Sequence, residues 1–169
     1  MKLQKPQTLI LPPAGDYGEG RMMPHIVESI REDHVRVLHL LDILEQTGEG
    51  REERYATVKH ELQGHMHGEE ATLYRRMERV MQDEIEQSVR DHTGFREIFG
   101  RLDRMPPDRD AWLVHLRELQ RRVWEHIEHE ETVLEEALSV MDTPELYEMG
   151  DYFQQAKRAM IQMASGRHP

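Results

Sequence analysis

Four stretches of the chain repeat apolar residues at the spacing of an α-helix, and each carries one histidine on its apolar face. These histidines are His34, His65, His92 and His126. An imidazole ring is costly to bury among apolar side chains unless it finds a polar partner. The chain must therefore fold so that four buried rings obtain such partners.

The four histidines also lie at similar heights along their predicted helices. His34 precedes the turn at Gly48 by 14 residues, and His92 precedes the turn at Pro106 by 14 residues. The other two histidines follow their turns by 15 and 18 residues. At 1.5 Å per residue, each ring is therefore about 20 to 27 Å from a turn. We predict that the four rings form one layer across the fold.

Two glutamates extend this layer, because Glu69 and Glu130 each follow one of its histidines by four residues. Such pairs share a helix face one turn apart, so an imidazole can bind one metal while the carboxylate bridges two. Mixed nitrogen and oxygen ligands suit iron, and six ligands exceed what a structural zinc site needs. The predicted metal ligands are His34, His65, Glu69, His92, His126 and Glu130.

Short connections between four long helices favour an all-α, antiparallel up-down-up-down four-helix bundle. We predict an extended N-terminal arm at residues 1–23, the bundle at 24–141, and a fifth, C-terminal helix with its tail at 142–169 packing on the bundle. A break between the second and third helices is predicted at Asp83, which with Glu86 forms a capping-box pattern. Asp108 and Thr143 are the predicted N-caps of the last two helices.

Composition narrows the classes of function. The net charge of −11 argues against nucleic acid and against an anionic membrane surface as partners. No apolar run is long enough to span a bilayer, and the N-terminal residues show no signal-peptide pattern, so we expect a cytoplasmic protein. The absence of cysteine excludes disulfides and thiolate ligands. The sequence leaves open whether the chain forms a homo-oligomer.

Four stretches around the predicted ligands form distinctive motifs. They are Asp33-His34, His65-Met-His-Gly-Glu69-Glu70-Ala-Thr-Leu73-Tyr74, Asp91-His92 and His126-Ile-Glu-His-Glu130-Glu131. With these motifs the chain resembles the hemerythrin-like family, also called the HHE cation-binding domain, over roughly residues 25–140. The resemblance implies a non-haem di-iron centre, oxo- or hydroxo-bridged, in which the four histidines are terminal ligands and the two glutamates are bridges. It also implies binding or sensing of oxygen or another small diatomic. Reaction with nitric oxide or peroxide, iron homeostasis and iron-centre repair are the alternatives.

The chain departs from true hemerythrins at two positions. They carry a fifth histidine one turn after the ligand of the third helix, and Arg96 occupies that position here. They also place an aspartate where this chain has Glu131, but a five-residue step from His126 turns about 140°, so we prefer Glu130 as the ligand. One histidine fewer implies a more open iron and argues against simple oxygen carriage. Whether His39 or His60 supplies a fifth histidine ligand stays an open question.

Several side chains are candidates for support around the ligands. Glu61 lies one turn before His65, where it could orient a ligand or relay protons. Arg96 and Arg122 could pair with Glu61, although a salt bridge at the rim of the core is equally expected. His129 lies beside Glu130, and either a supporting or a surface position fits it.

Other classes of protein fit the pattern less well. A ferritin-like oxidase needs Glu-x-x-His on two helices, and no histidine here follows a glutamate by three residues. A zinc protease needs His-Glu-x-x-His, but after His60-Glu61 the next histidine, His65, comes one residue late. A bundle without metal leaves the buried histidine layer unexplained.

Overall fold

The computed structural model describes residues 24–46, 48–164 and 166, and all regular structure in these residues is helical. The predicted N-terminal arm lies outside them, so the boundaries assigned to the arm and the bundle stay predictions. No described helix is long and apolar enough to cross a membrane. The helices are α1 (Ile26–Gln46), α2 (Arg51–Ala71), α3 (Leu73–Met77), α4 (Gln82–Leu102), α5 (Asp110–Val140) and α6 (Thr143–Ala164).

Helices α1, α2, α4 and α5 form the predicted four-helix bundle, and α6 is the predicted fifth helix. Within the bundle α4 packs along α5, and α1 packs against both α2 and α5. Helix α6 lies along α2 and α1. Gly68 of α2 permits this close approach, because a Cβ atom there would lie 2.7 Å from two ring carbons of Phe153 on α6. The C-terminal helix is thus docked directly on two helices of the bundle.

The connection between the second and third bundle helices differs from the prediction. Helix α2 ends at Ala71, and Thr72 leaves helical geometry with φ −125° and ψ −87°. The Thr72 hydroxyl donates to the Gly68 carbonyl at 2.6 Å, a side-chain bond of the kind that competes with the helical ladder. The chain then forms the short helix α3 before α4 begins at Gln82. The N-cap of α4 is Met81, two residues before the predicted position, and Asp83 lies inside the first turn. The capping box predicted at Asp83 is therefore wrong, and the prediction also missed the interruption at Thr72.

The predicted N-caps at Asp108 and Thr143 are wrong. Helix α5 begins at Asp110, and its N-cap residue Arg109 makes no capping bond through its side chain. At the start of α6, the carboxylate of Asp142 accepts a hydrogen bond of 2.9 Å from the backbone N–H of Glu145. Asp142 and Thr143 are both residue types that cap helices, and Asp142 makes the capping bond.

Two apolar clusters fill the core, one on each side of the predicted ligand layer. Along α1, for example, Ile30 belongs to one cluster, His34 follows one turn later, and Val37 belongs to the other. The turn-side cluster, between the layer and the α1–α2 and α4–α5 turns, includes Leu41, Leu62, Phe99, Trp112 and Leu119. The opposite cluster includes Val27, Leu73, Ile85, Val133 and Phe153.

Candidate metal centre

All six predicted ligand residues are buried and converge in one layer of the bundle. The glutamates are fully buried, and each histidine is at most 4% exposed. Each bundle helix contributes one histidine, while α2 and α5 also contribute a glutamate one turn further along. The convergence follows from the helical spacing, since apolar residues on the same faces of these helices form the core.

Four of these side chains form a first group, in which one ligand atom from each lies within 4.8 Å of the others. The Nε2 atom of His65 is 2.9 Å from Oε1 of Glu69. The Nε2 atom of His34 is 3.1 Å from Oε2 of Glu130 and 3.7 Å from Oε1 of Glu69. Two imidazole nitrogens and two carboxylate oxygens thus point at one small volume, which is a ligand set that a transition metal accepts.

A second group consists of Glu69, His92 and His126, with ligand atoms again within 4.8 Å of one another. The Nε2 atoms of His92 and His126 are 3.3 Å apart, and that of His92 is 3.3 Å from Oε2 of Glu69. Glu69 therefore turns one oxygen towards each group. Oε2 of Glu130 is also 3.7 Å from Nε2 of His126, so this carboxylate faces both groups as well.

Several polar atoms in this layer are buried without a hydrogen-bond partner. They include Nε2 of His34, Oε1 of Glu69 and Oε2 of Glu130, all directed into the first group. Buried polar atoms without partners are costly in a protein interior. A cation bound between them would satisfy all three at once, so the residues present fit a metal ion.

Burial and neighbouring charges also shift the pKa values of several side chains in this layer. Burial lowers the pKa of His34, but the nearby carboxylates of Glu130 and Glu69 outweigh it and raise this pKa to about 9. The pKa of His92 is likewise about 9, because Glu69 and Glu70 outweigh burial. Burial raises the pKa of Glu69, yet His65, His34 and His92 together hold it well below its usual range. Without metal, protons on the histidines take the place of cations, and metal binding has to displace them.

Comparison with known proteins identifies the family. Residues 25–138 match the family model described as the hemerythrin HHE cation-binding domain. The chain belongs to this family. A crystal structure of a hemerythrin HHE cation-binding domain-containing protein from Mycobacterium kansasii has the same fold, with a TM-score of 0.74 and 17% sequence identity. The match covers 86% of this chain and 92% of that one. Comparison with curated proteins gives no match.

Tyr74 lies among the predicted ligands of this hemerythrin HHE domain, a position that helical spacing did not indicate. Its hydroxyl donates to Oε1 of Glu130 at 2.6 Å and lies 3.3 Å from Nε2 of His92. Its ring also stacks on the ring of His92. Burial, followed by the charges of Glu130 and Glu69, holds the pKa of Tyr74 well above 10, so the hydroxyl keeps its proton. Tyr74 lies in α3, just beyond the interruption at Thr72.

Replacing Tyr74 with phenylalanine is expected to destabilise the metal-free protein by about 1–3 kcal/mol, because Oε1 of Glu130 loses its buried donor. Chemical denaturation of chelator-treated protein measures this loss. Tyr152→Phe is the matched control, since the Tyr152 hydroxyl donates to Glu148 at 3.3 Å on an exposed face. Equal stability of the two variants would contradict the structural role of the Tyr74 hydroxyl.

Each of three outer carboxylates supports a histidine from a different helix. Glu70 of α2 is 2.8 Å from Nδ1 of His92, and Asp91 of α4 is 3.4 Å from Nδ1 of His126. Asp33 of α1 is 3.5 Å from Nδ1 of His65. Carboxylates in such positions fix ring orientation and tautomer in metal-binding histidines. These three carboxylates are adjacent to predicted ligands in the sequence, but only the assembled bundle shows which ring each one contacts.

The predicted supporting residues are present but pair differently. Glu61 pairs with Lys157, with Oε2 3.1 Å from Nζ, and not with an arginine. Arg96 is 2.7 Å from Glu70, so it supports His92 indirectly. Arg122 pairs with Glu118 at 3.3 Å, away from the ligands. The expected pairing of Glu61 with Arg96 or Arg122 is therefore wrong, because the two arginines pair with other carboxylates and Glu61 pairs with a lysine.

The remaining candidates lie outside the ligand layer. The half-buried His129 is 3.4 Å from the carbonyl of Glu84 and belongs to neither ligand group. His39 is exposed, His60 is half-buried, and neither is part of the two groups. Glu131 contacts Arg31 at the surface, so the oxygen atoms directed into the layer from α5 come from Glu130.

Proposed function

We propose that this chain is a non-haem di-iron protein that binds or senses oxygen or another small diatomic ligand. One observation carries the proposal: the two oxygens of Glu69 face two separate histidine groups at 2.9 and 3.3 Å. A carboxylate in this position suits a bridge between two cations. Membership of a cation-binding family supports the presence of metal. The mixed nitrogen and oxygen donors and the absence of cysteine favour iron.

The two ligand groups are unequal, which supports a function in binding small molecules. The first group offers four donors close together, whereas the second offers Glu69, His92 and His126. Glu130 contributes less to the second group, because its Oε1 accepts a hydrogen bond from Tyr74 and its Oε2 is 3.1 Å from His34 but 3.7 Å from His126. Arg96, in the position of a fifth histidine, is turned to Glu70. Fewer protein donors at one position leave room there for an exogenous ligand or water, as in non-haem iron sites. An iron pair, bridged by an oxo or hydroxo group, would supply redox electrons and open positions for such a ligand.

A second candidate function is reaction with nitric oxide or peroxide, and Tyr74 favours it. A buried hydroxyl that keeps its proton lies 3.3 Å from Nε2 of His92, close to the more open position. It could donate a hydrogen bond to a bound ligand there, and a donor placed where charge develops stabilises the reacting group. We place either activity in the cytoplasm, with roles in iron homeostasis or iron-centre repair as further alternatives.

Anaerobic loading with Fe(II), followed by separate mixing with oxygen, nitric oxide and peroxide, tests the proposal. We expect uptake of about two irons per chain and near-ultraviolet absorption from an oxo bridge after oxidation. A stable, reversible oxygen adduct would support binding or sensing, whereas rapid turnover of peroxide would support the second candidate. Protein that binds no iron under any reconstitution condition would overturn both. His126→Ala is the control and should lose the iron of the second group together with the stability that this iron contributes.

A further inference from the structure

Helix α6 carries a buried lysine that faces the metal centre. Lys157 is 7% exposed and lies beyond residues 25–138, which match the family model. Its Nζ atom is 2.7 Å from Oδ1 of Asp33 and 3.1 Å from Oε2 of Glu61. A buried ammonium group is unfavourable unless such partners compensate its desolvation. The lysine therefore depends on carboxylates from α1 and α2.

Asp33 connects this lysine to the ligand layer. Its other oxygen, Oδ2, faces Nδ1 of His65 at 3.5 Å, and neither atom has another hydrogen-bond partner. The opposite ring nitrogen of His65 faces Glu69 at 2.9 Å. Lys157, Asp33 and His65 thus form a continuous chain of contacts that ends in the first ligand group. A metal-bound histidine with Nδ1 directed at a held carboxylate has its ring orientation fixed.

An analogous chain supports the second ligand group from within the bundle. Arg96 is 2.7 Å from Oε1 of Glu70, and the same oxygen is 2.8 Å from Nδ1 of His92. Both chains run from a cation through a carboxylate to a histidine. They differ in origin, because Arg96 belongs to α4 and is 44% exposed, whereas Lys157 belongs to α6 and is buried. Each ligand group is therefore connected through a carboxylate to one cationic side chain.

We propose that Lys157 is a positioning residue that makes α6 part of the metal centre. By holding Asp33 against His65, it links occupancy of the position formed by His34, His65, Glu69 and Glu130 to docking of α6. The linkage is reciprocal: metal at this position strengthens the docking of α6, and undocking of α6 weakens metal binding. The inference rests on the proposed function, since it requires that the layer bind metal.

Anaerobic Fe(II) binding isotherms of Lys157→Met test the proposal. We expect one metal equivalent to bind about 10- to 100-fold more weakly, as when outer partners of ligands are removed, while the other equivalent is unchanged. Arg96→Met should weaken the other equivalent. In a His34→Ala background, in which the first group is disabled, Lys157→Met should leave the remaining metal affinity unchanged. Combination with His126→Ala, which disables the second group, should leave its effect intact.

Two further measurements separate positioning from simple packing. Leu146→Ala removes a buried side chain of α6 about 16 Å along the helix from Lys157, so it should lower stability without changing the ratio of the two metal affinities. Lys157→Arg keeps the charge and should restore part of the lost affinity. In the wild type, iron should slow hydrogen exchange of α6 amides, and Lys157→Met should abolish this slowing. If Lys157→Met does not fold, the double variant Lys157→Met with Glu61→Gln takes its place in these measurements. The double variant leaves one unpaired carboxylate fewer.

Unchanged isotherms for the Lys157 variant in a wild-type background that binds two irons would overturn this inference alone. Equal weakening of both equivalents, matched by Leu146→Ala, would also overturn it, because packing would then explain the effect. A wild-type chain that takes up no iron would overturn the proposed function and, with it, the linkage to α6.

Discussion

Glu69→Gln is expected to abolish loading of both metal positions. The two carboxylate oxygens of Glu69 face different histidine groups, and a neutral amide offers one weak acceptor in place of two anionic ligands. The rise in stability on metal binding should disappear with it, a loss of about 4 kcal/mol at a metal concentration about 1,000 times the dissociation constant. Metal analysis after anaerobic Fe(II) loading and thermal unfolding with and without iron measure the two effects.

Glu70→Gln is the matched control, because it changes the adjacent residue of the same helix in the same way. Glu70 touches the ligand layer only through Nδ1 of His92. The control should therefore weaken one position by about 10- to 100-fold and leave the other. Full loading of Glu69→Gln would exclude a bridging role for this carboxylate. Unfolding of the metal-free variant would not test that role, so circular dichroism of metal-free samples accompanies the comparison.

The metal-free protein is expected to lose stability as the pH rises from about 6.5 to about 9. The pKa of His34 is raised from 6.5 to about 9 in the folded state, chiefly because Glu130 and Glu69 outweigh burial. A raised pKa stabilises the fold below pH 6.5, and that contribution is lost as the pH passes 9. For His34 the shift corresponds to about 3 kcal/mol. His92 shares Glu69 with His34, so the two contributions are not additive.

Urea denaturation of chelator-treated protein at pH 6.5 and pH 9 measures this change. The iron-loaded protein should not show the same fall, since metal binding requires neutral imidazoles and becomes stronger as they deprotonate. His34→Gln removes one of the two groups and should reduce the fall. Metal-free stability that is constant or rises over this range would contradict the presence of protonated histidines in the layer. The lowered pKa of Glu69 has the opposite sign and matters only below about pH 4.5.

The ligand layer could be predicted because its information is local to each helix. His65 and Glu69 share a helix face whatever the rest of the chain does, and the heights of the four histidines follow from counting residues to turns. The interruption at Thr72 could not be predicted in this way. It contains neither glycine nor proline, and a threonine hydroxyl bonded to a carbonyl one turn back also occurs in uninterrupted helices. Tyr74 lies just beyond that interruption.

The contacts around the ligands could not be predicted, because they join distant parts of the chain. Asp33 is adjacent to His34 in the sequence but supports His65, and it is held by Lys157, which is 124 residues away. Arg96 was recognised as the residue in place of a fifth histidine, yet its partner Glu70 lies on another helix. Many carboxylates compete for each cation in a chain with 33 acidic residues, so only tertiary packing selects the pairs.

The two apolar clusters on either side of the ligand layer have a consequence for what can reach it. A molecule that arrives along the bundle axis has to pass among the leucine, valine and phenylalanine side chains of these clusters. Small nonpolar gases enter such surroundings at little cost, whereas an anion must give up its hydration shell. We therefore expect oxygen and nitric oxide to reach the layer by this route more easily than superoxide or nitrite.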